Sequence, residues 1–322
     1  MANNNVFELT IQHGDTLYYP VVEDEIQLEQ ERSGSPSKLT FTVIKDQTLD
    51  FSEGDPVRFL YNGKNVFFGY VFKKKRQKEH HIEVTAYDQM RYLQNKFTYV
   101  FTNKTATQII KSVCDDFGIQ PGDMENTGYV IPSLIEENIS LFDIILDALD
   151  ETLTNSGELY ILYDDFGKLQ LKNISNMTTN ILIDKDTAEN FTYTSSIDDE
   201  TYNKIVLYYV DEETNDRIPF VASDASTIQQ WGLLQYFEEV KVPSIGQSKA
   251  EALLKLYNKK TRELTIENAF GDTSVRAGSL IVVQLDLGDI VTSNYMLVEK
   301  AVHKFKNDYY TMNLTISGTW GD

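Results

Sequence analysis

The sequence has little of what usually carries catalysis or cross-linking. Its single cysteine, Cys114, excludes an internal disulfide framework and any cysteine-based zinc site. Histidine is scarce: His13, His80, His81 and His303 have no acidic or cysteine partner at ligand spacing, so neither a zinc site nor a Ser-His-Asp arrangement is indicated. Gly118, Gly122 and Gly128 are too scattered for a phosphate-cradling loop. Met1-Ala2-Asn3-Asn4-Asn5 lacks the basic and apolar regions of a signal peptide, and no apolar run is long enough to cross a bilayer. Positive charge is also short, with 29 Lys and Arg against 49 Asp and Glu, a formal net charge of −20. That balance argues against sequence-independent nucleic-acid binding, which needs cations to displace counterions from phosphates, and against docking on anionic membranes. The acids outnumber the bases in both halves, so acidity belongs to the whole surface. The expected compartment for folding is a reducing cytosol, with no cofactor.

What is present is a strand pattern that occurs twice. Near the C-terminus, Leu264 and Ile266 mark a strand, Ala277-Gly278-Ser279-Leu280 opens a second, Tyr295 to His303 is a third, and Tyr310 to Ile316 alternates cleanly in a fourth. Near the N-terminus, Leu39, Phe41 and Val43 mark a strand and Glu53-Gly54-Asp55-Pro56-Val57 opens the next. Val66 to Phe72 follows, and Ile82, Val84 and Ala86 alternate in the last. An antiparallel sheet of this kind covers its edges by curling into a barrel. The expected fold is mainly β with α+β: two tube-type antiparallel β-barrels flanking a small α+β domain.

Taken in order, residues 1–97 form the first barrel, starting at Val6, Phe7 and Leu9. Residues 98–185 form the α+β domain. In it Thr105 caps a helix striped with Ile109, Ile110, Val113 and Cys114 and ended by Gly118, and a second helix starts at Ser140. A hairpin then turns at Asp164-Asp165-Phe166-Gly167. Residues 186–322 form the second barrel, with Phe191, Tyr193 and Ile205 to Val210 as its resumed strands. A helical insertion at about 224–260 includes a helix capped by Ser248 with Glu251 three residues on. Cys114 lies on an apolar stripe and reads as core.

Lys73, Lys74, Lys75, Arg76 and Lys78 form the chain's one basic run, following Phe72 between two strands. It reads as a long solvated hairpin arm whose charge discourages edge pairing. The sharper reading makes these residues an interface with an acidic surface of another subunit. The carboxylates are too numerous for any pair to stand out as catalytic, and most aromatics fall at alternating strand positions, where core or interface packing explains them.

Leu39 to Asp88, with Gly54-Asp55-Pro56-Val57 and Phe68-Gly69-Tyr70-Val71, resembles the first barrel of baseplate hub proteins from contractile phage tails. Thr105 to Ile119 is similar to the segment that follows it there. Arg276-Ala277-Gly278, Val302-His303 and Tyr309 to Leu314 resemble the last barrel. Within that late-control-D superfamily the chain is most similar to the hub of PBSX-type defective phages and tail-like bacteriocins. The resemblance implies a homotrimer whose six barrels continue a sixfold tail tube and present threefold symmetry to a central spike. It further implies contacts with tape-measure and other baseplate proteins, the bacterial cytoplasm during assembly, and a place in the tail baseplate afterwards. Ending at Asp322, the chain is expected to carry no added lytic module and to be no enzyme. The rival readings are a particle-associated cell-wall glycosidase and a carbohydrate-binding β-protein or adhesin.

Overall fold

The computed structural model describes residues 7–318 apart from 199, 212–213, 287–290 and 307–308. Val6, where the first barrel is expected to start, lies outside the described residues. The chain is mainly β, and the N-terminal part is built of β1 (Phe7–His13), β2 (Thr16–Tyr18), β3 (Val22–Glu31), β4 (Lys38–Ile44), β5 (Pro56–Tyr61), β6 (Lys64–Arg76) and β7 (His81–Tyr87). These strands pair antiparallel in the spatial order β3-β4-β7-β6-β5-β1-β2. Period-two alternation sends Leu39, Phe41, Val43, Val57, Phe59, Ile82 and Val84 into one core, each 2% exposed or less.

The middle part holds β8 (Lys96–Thr105), α1 (Ala106–Phe117), β9 (Pro121–Met124), β10 (Val130–Ser140), α2 (Leu141–Ser156), β11 (Tyr160–Asp164) and β12 (Leu169–Asn173). Thr105 closes a capping box on α1: its hydroxyl accepts from the Gln108 N–H while Gln108 Oε1 accepts from the Thr105 N–H at 3.0 Å. Gly118, in the left-handed region, ends that helix. Ser140 caps α2, and Ile109, Ile110, Val113, Cys114, Ile144 and Ile145 meet between the two helices and the sheet. Burial pushes the Cys114 thiol up to about 11, which fits a core role.

The last part contains β13 (Thr178–Asp184), β14 (Asn190–Ser196), β15 (Lys204–Val210), β16 (Arg217–Ser223), α3 (Ala225–Trp231), β17 (Gln235–Glu239), α4 (Gly246–Tyr257), β18 (Thr261–Phe270), β19 (Leu280–Asp286), β20 (Val291–Lys306) and β21 (Tyr310–Ser317). Strands β14, β18, β21, β20, β19 and β13 surround a second core, with Leu264, Ile266, Ile281, Met296 and Leu314 at its centre. Strand β13, which sequence alone leaves with the preceding hairpin, runs parallel to β19.

Two sequence readings are corrected here. Ile205 to Val210 does not resume the second barrel's sheet. As β15 it pairs with β16 and β17 in a separate three-stranded sheet, against which α4 packs Ala250 and Leu253. Alternation shows that a strand is half-buried but not which core it faces. Nor does Ser248 cap α4: the helix already starts at Gly246, led by a 3-10 turn over Pro243–Ile245, and the Ser248 hydroxyl donates to the Ile245 carbonyl at 2.9 Å.

Candidate assembly interface

The two outer sheets are copies of one pairing scheme. Strand β4 pairs with β7, β7 with β6 and β6 with β5; β18 pairs with β21, β21 with β20 and β20 with β19, all antiparallel. Even the irregularities coincide. The β6–β7 ladder slips between Val71 and Lys73, and the β20–β21 ladder slips between Val298 and Lys300. Aligning the slips places Val298 on Val71, Lys300 on Lys73, Ile316 on Ala86 and Leu264 on Leu39. A fifth strand follows, since β3 pairs with β4 as β14 pairs with β18, putting Tyr193 in the place of Leu28. The copies then diverge: β1 joins β5 antiparallel, whereas β13 joins β19 parallel. Among the described residues neither sheet is closed by a hydrogen-bonded strand pair.

The copies meet edge to edge. Strand β20 runs past its partner β19 and pairs from Lys300 to Lys306 with β3, from Glu31 to Glu25, so that one thirteen-stranded sheet runs through both. Alternate side chains seal the joint on both faces. Inward, Phe305 enters the first core, its ring 4.9 Å from Phe59, 5.1 Å from Tyr61 and 4.3 Å from Tyr310. Outward, Lys300 reaches Glu29 at 2.5 Å and Glu31 at 2.9 Å, and Lys38 takes Glu29 from the other side. Burial works to raise Glu29, yet these cationic partners hold its carboxyl below the usual carboxylate range.

A buried polar node ties the middle part to both copies. Asp88 accepts the Ser37 and Met90 N–H groups at 3.0 Å each, and Gln89 Nε2 donates to Asp164 Oδ2 at 2.8 Å. Arg276, from the second copy, donates Nη2 to the Asp164 carbonyl at 2.9 Å and lies over the Tyr163 ring at 3.8 Å. Desolvation, then the neighbouring Asp164 charge, pushes Asp88 up to about 7. No sequence signal marked this node. Its members come from all three parts, and only folding brings them together.

The basic run stands elsewhere, and it is not an arm. Lys73, Lys74, Lys75 and Arg76 lie within β6, paired in turn with Thr85, Val84, Glu83 and Ile82, and a tight 3-10 turn over Lys78–His80 connects to β7. Lys74 is turned inward, its ammonium donating to the Phe51 carbonyl at 2.6 Å and lying 3.5 Å from Glu53. Lys75 approaches Glu83 at 3.5 Å. Lys73, Arg76 and Lys78 are exposed and form no ion pair with a described residue.

Two of the histidines have structural partners. His13 Nδ1 meets Asp55 at 2.8 Å, and buried His303 meets the Tyr310 hydroxyl at 2.8 Å, burial pushing its pKa down to about 4. No group of His, Cys, Asp and Glu suited to a metal occurs among the described residues.

Three comparisons bear on this arrangement. The chain is 33% identical over 315 residues to the phage-like element PBSX protein XkdQ of Bacillus subtilis, covering 94% of each sequence. Its fold is similar to the 43 kDa tail protein of prophage MuSo2 from Shewanella oneidensis, with a TM-score of 0.70 at 15% identity, covering 96% of this chain and 98% of that one. It is similar too to the E. coli c3393 protein, a type VI secretion component described as resembling the T4 tail proteins gp27 and gp5. That TM-score is 0.58 at 12% identity, over 96% of this chain and 76% of the other. The fold is that of phage tail proteins, and the match of the YqbQ-like family model to residues 26–317 makes the chain a member of the YqbQ-like family.

Proposed function

We propose that the chain is the structural hub of a contractile tail baseplate, working as a homotrimeric adaptor between a sixfold tail tube and a threefold central spike. One observation carries this reading: a strand-pairing scheme repeated within one chain and joined edge to edge through β20 and β3. Three such chains present six similar units, which matches a sixfold layer on one side and a threefold one on the other. Each repeat then works as one tube-type barrel, its curled sheet completed by neighbours in the assembled ring. The partners of this reading are the tail tube and spike proteins, with tape-measure and other baseplate proteins around them, and the place of action is the tail tip.

The role so read is structural rather than catalytic. The buried carboxyls of Asp88 and Asp164 are 1% and 6% exposed, out of reach of a polysaccharide. A surface depression of about 250 Å³ between Arg58, Phe68, Gln120, Phe166 and Lys168 has no carboxylate in its lining. Excess negative charge facing the bore would keep DNA or other cargo from sticking.

Light scattering on the purified chain, alone and mixed with its tube and spike proteins, tests the adaptor. A trimer, alone or on the spike, is the expected result. A monomer that ignores both partners and releases peptidoglycan would overturn it.

A further inference from the structure

The internal repeat leaves one junction used and its equivalent unused. Within the chain, the second half of β20 takes the edge of β3. The equivalent of that β20 half is Lys73–Arg76 of β6, and the equivalent of β3 is β14. Strand β5 covers only Lys64 to Tyr70 of β6, so beyond Tyr70 the edge opposite β7 pairs with no strand among the described residues. Strand β14 ends the sheet path, with β18 on one edge and no strand among the described residues on the other. The chain thus displays both halves of its own internal joint, one on the strand that ends the sheet path and the other on the stretch of β6 that β5 leaves uncovered.

Exposure points the same way. Ile26 on β3 is fully buried by the internal joint, while Phe191, at the same place on β14, is 40% exposed. An open strand carrying an exposed phenylalanine is an edge that proteins normally cover. Charge is complementary as well. Lys73, Lys75 and Arg76 line one edge, and the exposed Glu263 and Glu267 stand beside Thr194 and Asn190 on the strand next to the other. Beyond β14 lies exposed Asp198.

We infer that the second half of β6 adds antiparallel to β14 of a second copy of this chain, with Lys73 opposite Ser196 and Lys75 opposite Thr194. The inference rests on the ring-forming role proposed above and names its self-contact. The register is that of the internal joint, where Lys300 faces Glu31 and Val302 faces Glu29, carried over by the repeat. Such a contact is head-to-tail, and a head-to-tail contact closes into a ring when its rotation permits. Strand β6 ends at Arg76 where its equivalent runs on to Lys306, so this joint is shorter than the internal one and is the first to open on dilution. The basic run, in this arrangement, guards the edge against wrong partners until an acid-flanked strand arrives.

Paired cysteines test it in the full chain, because directly opposed residues of antiparallel strands lie within disulfide range. Lys75→Cys with Thr194→Cys is the in-register pair, and Lys75→Cys with Asn190→Cys the control. All three positions are exposed, and buried Cys114 stays in place. Mild oxidation should give covalent two- and three-chain species from the first variant and not from the second, with circular dichroism confirming that both are folded. Oligomers in solution that never cross-link in register would overturn the pairing while leaving the adaptor reading intact. A chain that stays monomeric and unlinked, even with its tube and spike proteins, would overturn both.

Discussion

Gly54 and Gly278 hold the same place in two repeats. Their φ angles are +94° and +91°, and each N–H donates at 2.7 Å to a strand carbonyl, Val71 for one and Val298 for the other. Both glycines enter the left-handed half of backbone space just before the next strand of their repeat, β5 for one and β19 for the other, a conformation that costs an L-residue about 1 kcal/mol or more. What differs is the surroundings. A methyl group on Gly54 meets open space, whereas one on Gly278 would stand 2.4 Å from Ile161 Cγ2, because the middle part packs against the second repeat there.

Alanine at the two positions should therefore separate backbone strain from packing. Gly54→Ala is expected to cost about 1 kcal/mol, and Gly278→Ala roughly 2–4 kcal/mol once overpacking is added. Denaturant unfolding of the two variants checks this. Equal losses would mean that Ile161 yields without cost.

Lys300 is the electrostatic clasp of the internal joint. Its side chain is 36% exposed, so its two carboxylate contacts are screened by solvent. Lys300→Met, which keeps the aliphatic stem, should cost about 1 kcal/mol at low salt and less at high salt. Urea melts at two ionic strengths report it, and a loss indifferent to salt would assign the role of Lys300 to packing alone.

Asp88 should make stability fall with rising pH. Its folded pKa, about 7, lies above that of an ordinary carboxyl because of burial and the Asp164 charge, so the folded chain holds a proton that the unfolded chain has lost. That contribution is complete below the ordinary carboxylate range and disappears as pH rises through about 7. Asp88→Asn keeps one acceptor oxygen for two N–H donors, so it should be less stable at pH 5 by about 1 kcal/mol. The gap should close toward pH 8. Thermal unfolding across pH is the measurement, and a constant gap would show that Asp88 is ionised throughout.

Reversal of Lys73, Lys75, Arg76 and Lys78 to Glu should weaken self-association and leave the monomer folded, since none of the four enters a core. Lys74 is left out because its ammonium is bound to Phe51 and Glu53 within the chain. Sedimentation at several concentrations reads the effect, and unchanged association would remove the basic edge from the assembly surface.

The sequence by itself determined the local elements. Alternating Leu39, Phe41 and Val43 or Met312, Leu314 and Ile316 could only be half-buried strands, Thr105 with Gln108 could start a helix, and the recurring glycine-led strand revealed the repeat. The likeness to phage tail proteins was also readable there, from the order of weak motifs. Tertiary structure decided which strands pair. Glu25, Glu29 and Glu31 read as the outer face of a strand, and nothing in their spacing names Lys300 and Lys306 as their partners across the joint. It also moved Ile205–Val210 into a separate sheet, drew the basic run into β6, and gathered Asp88, Asp164 and Arg276 into one buried node. The physical reason is that periodicity along a chain records how each residue divides between water and core. The choice of neighbour is made by long-range backbone hydrogen bonds and side-chain fit, which depend on residues more than two hundred positions apart in the case of β3 and β20.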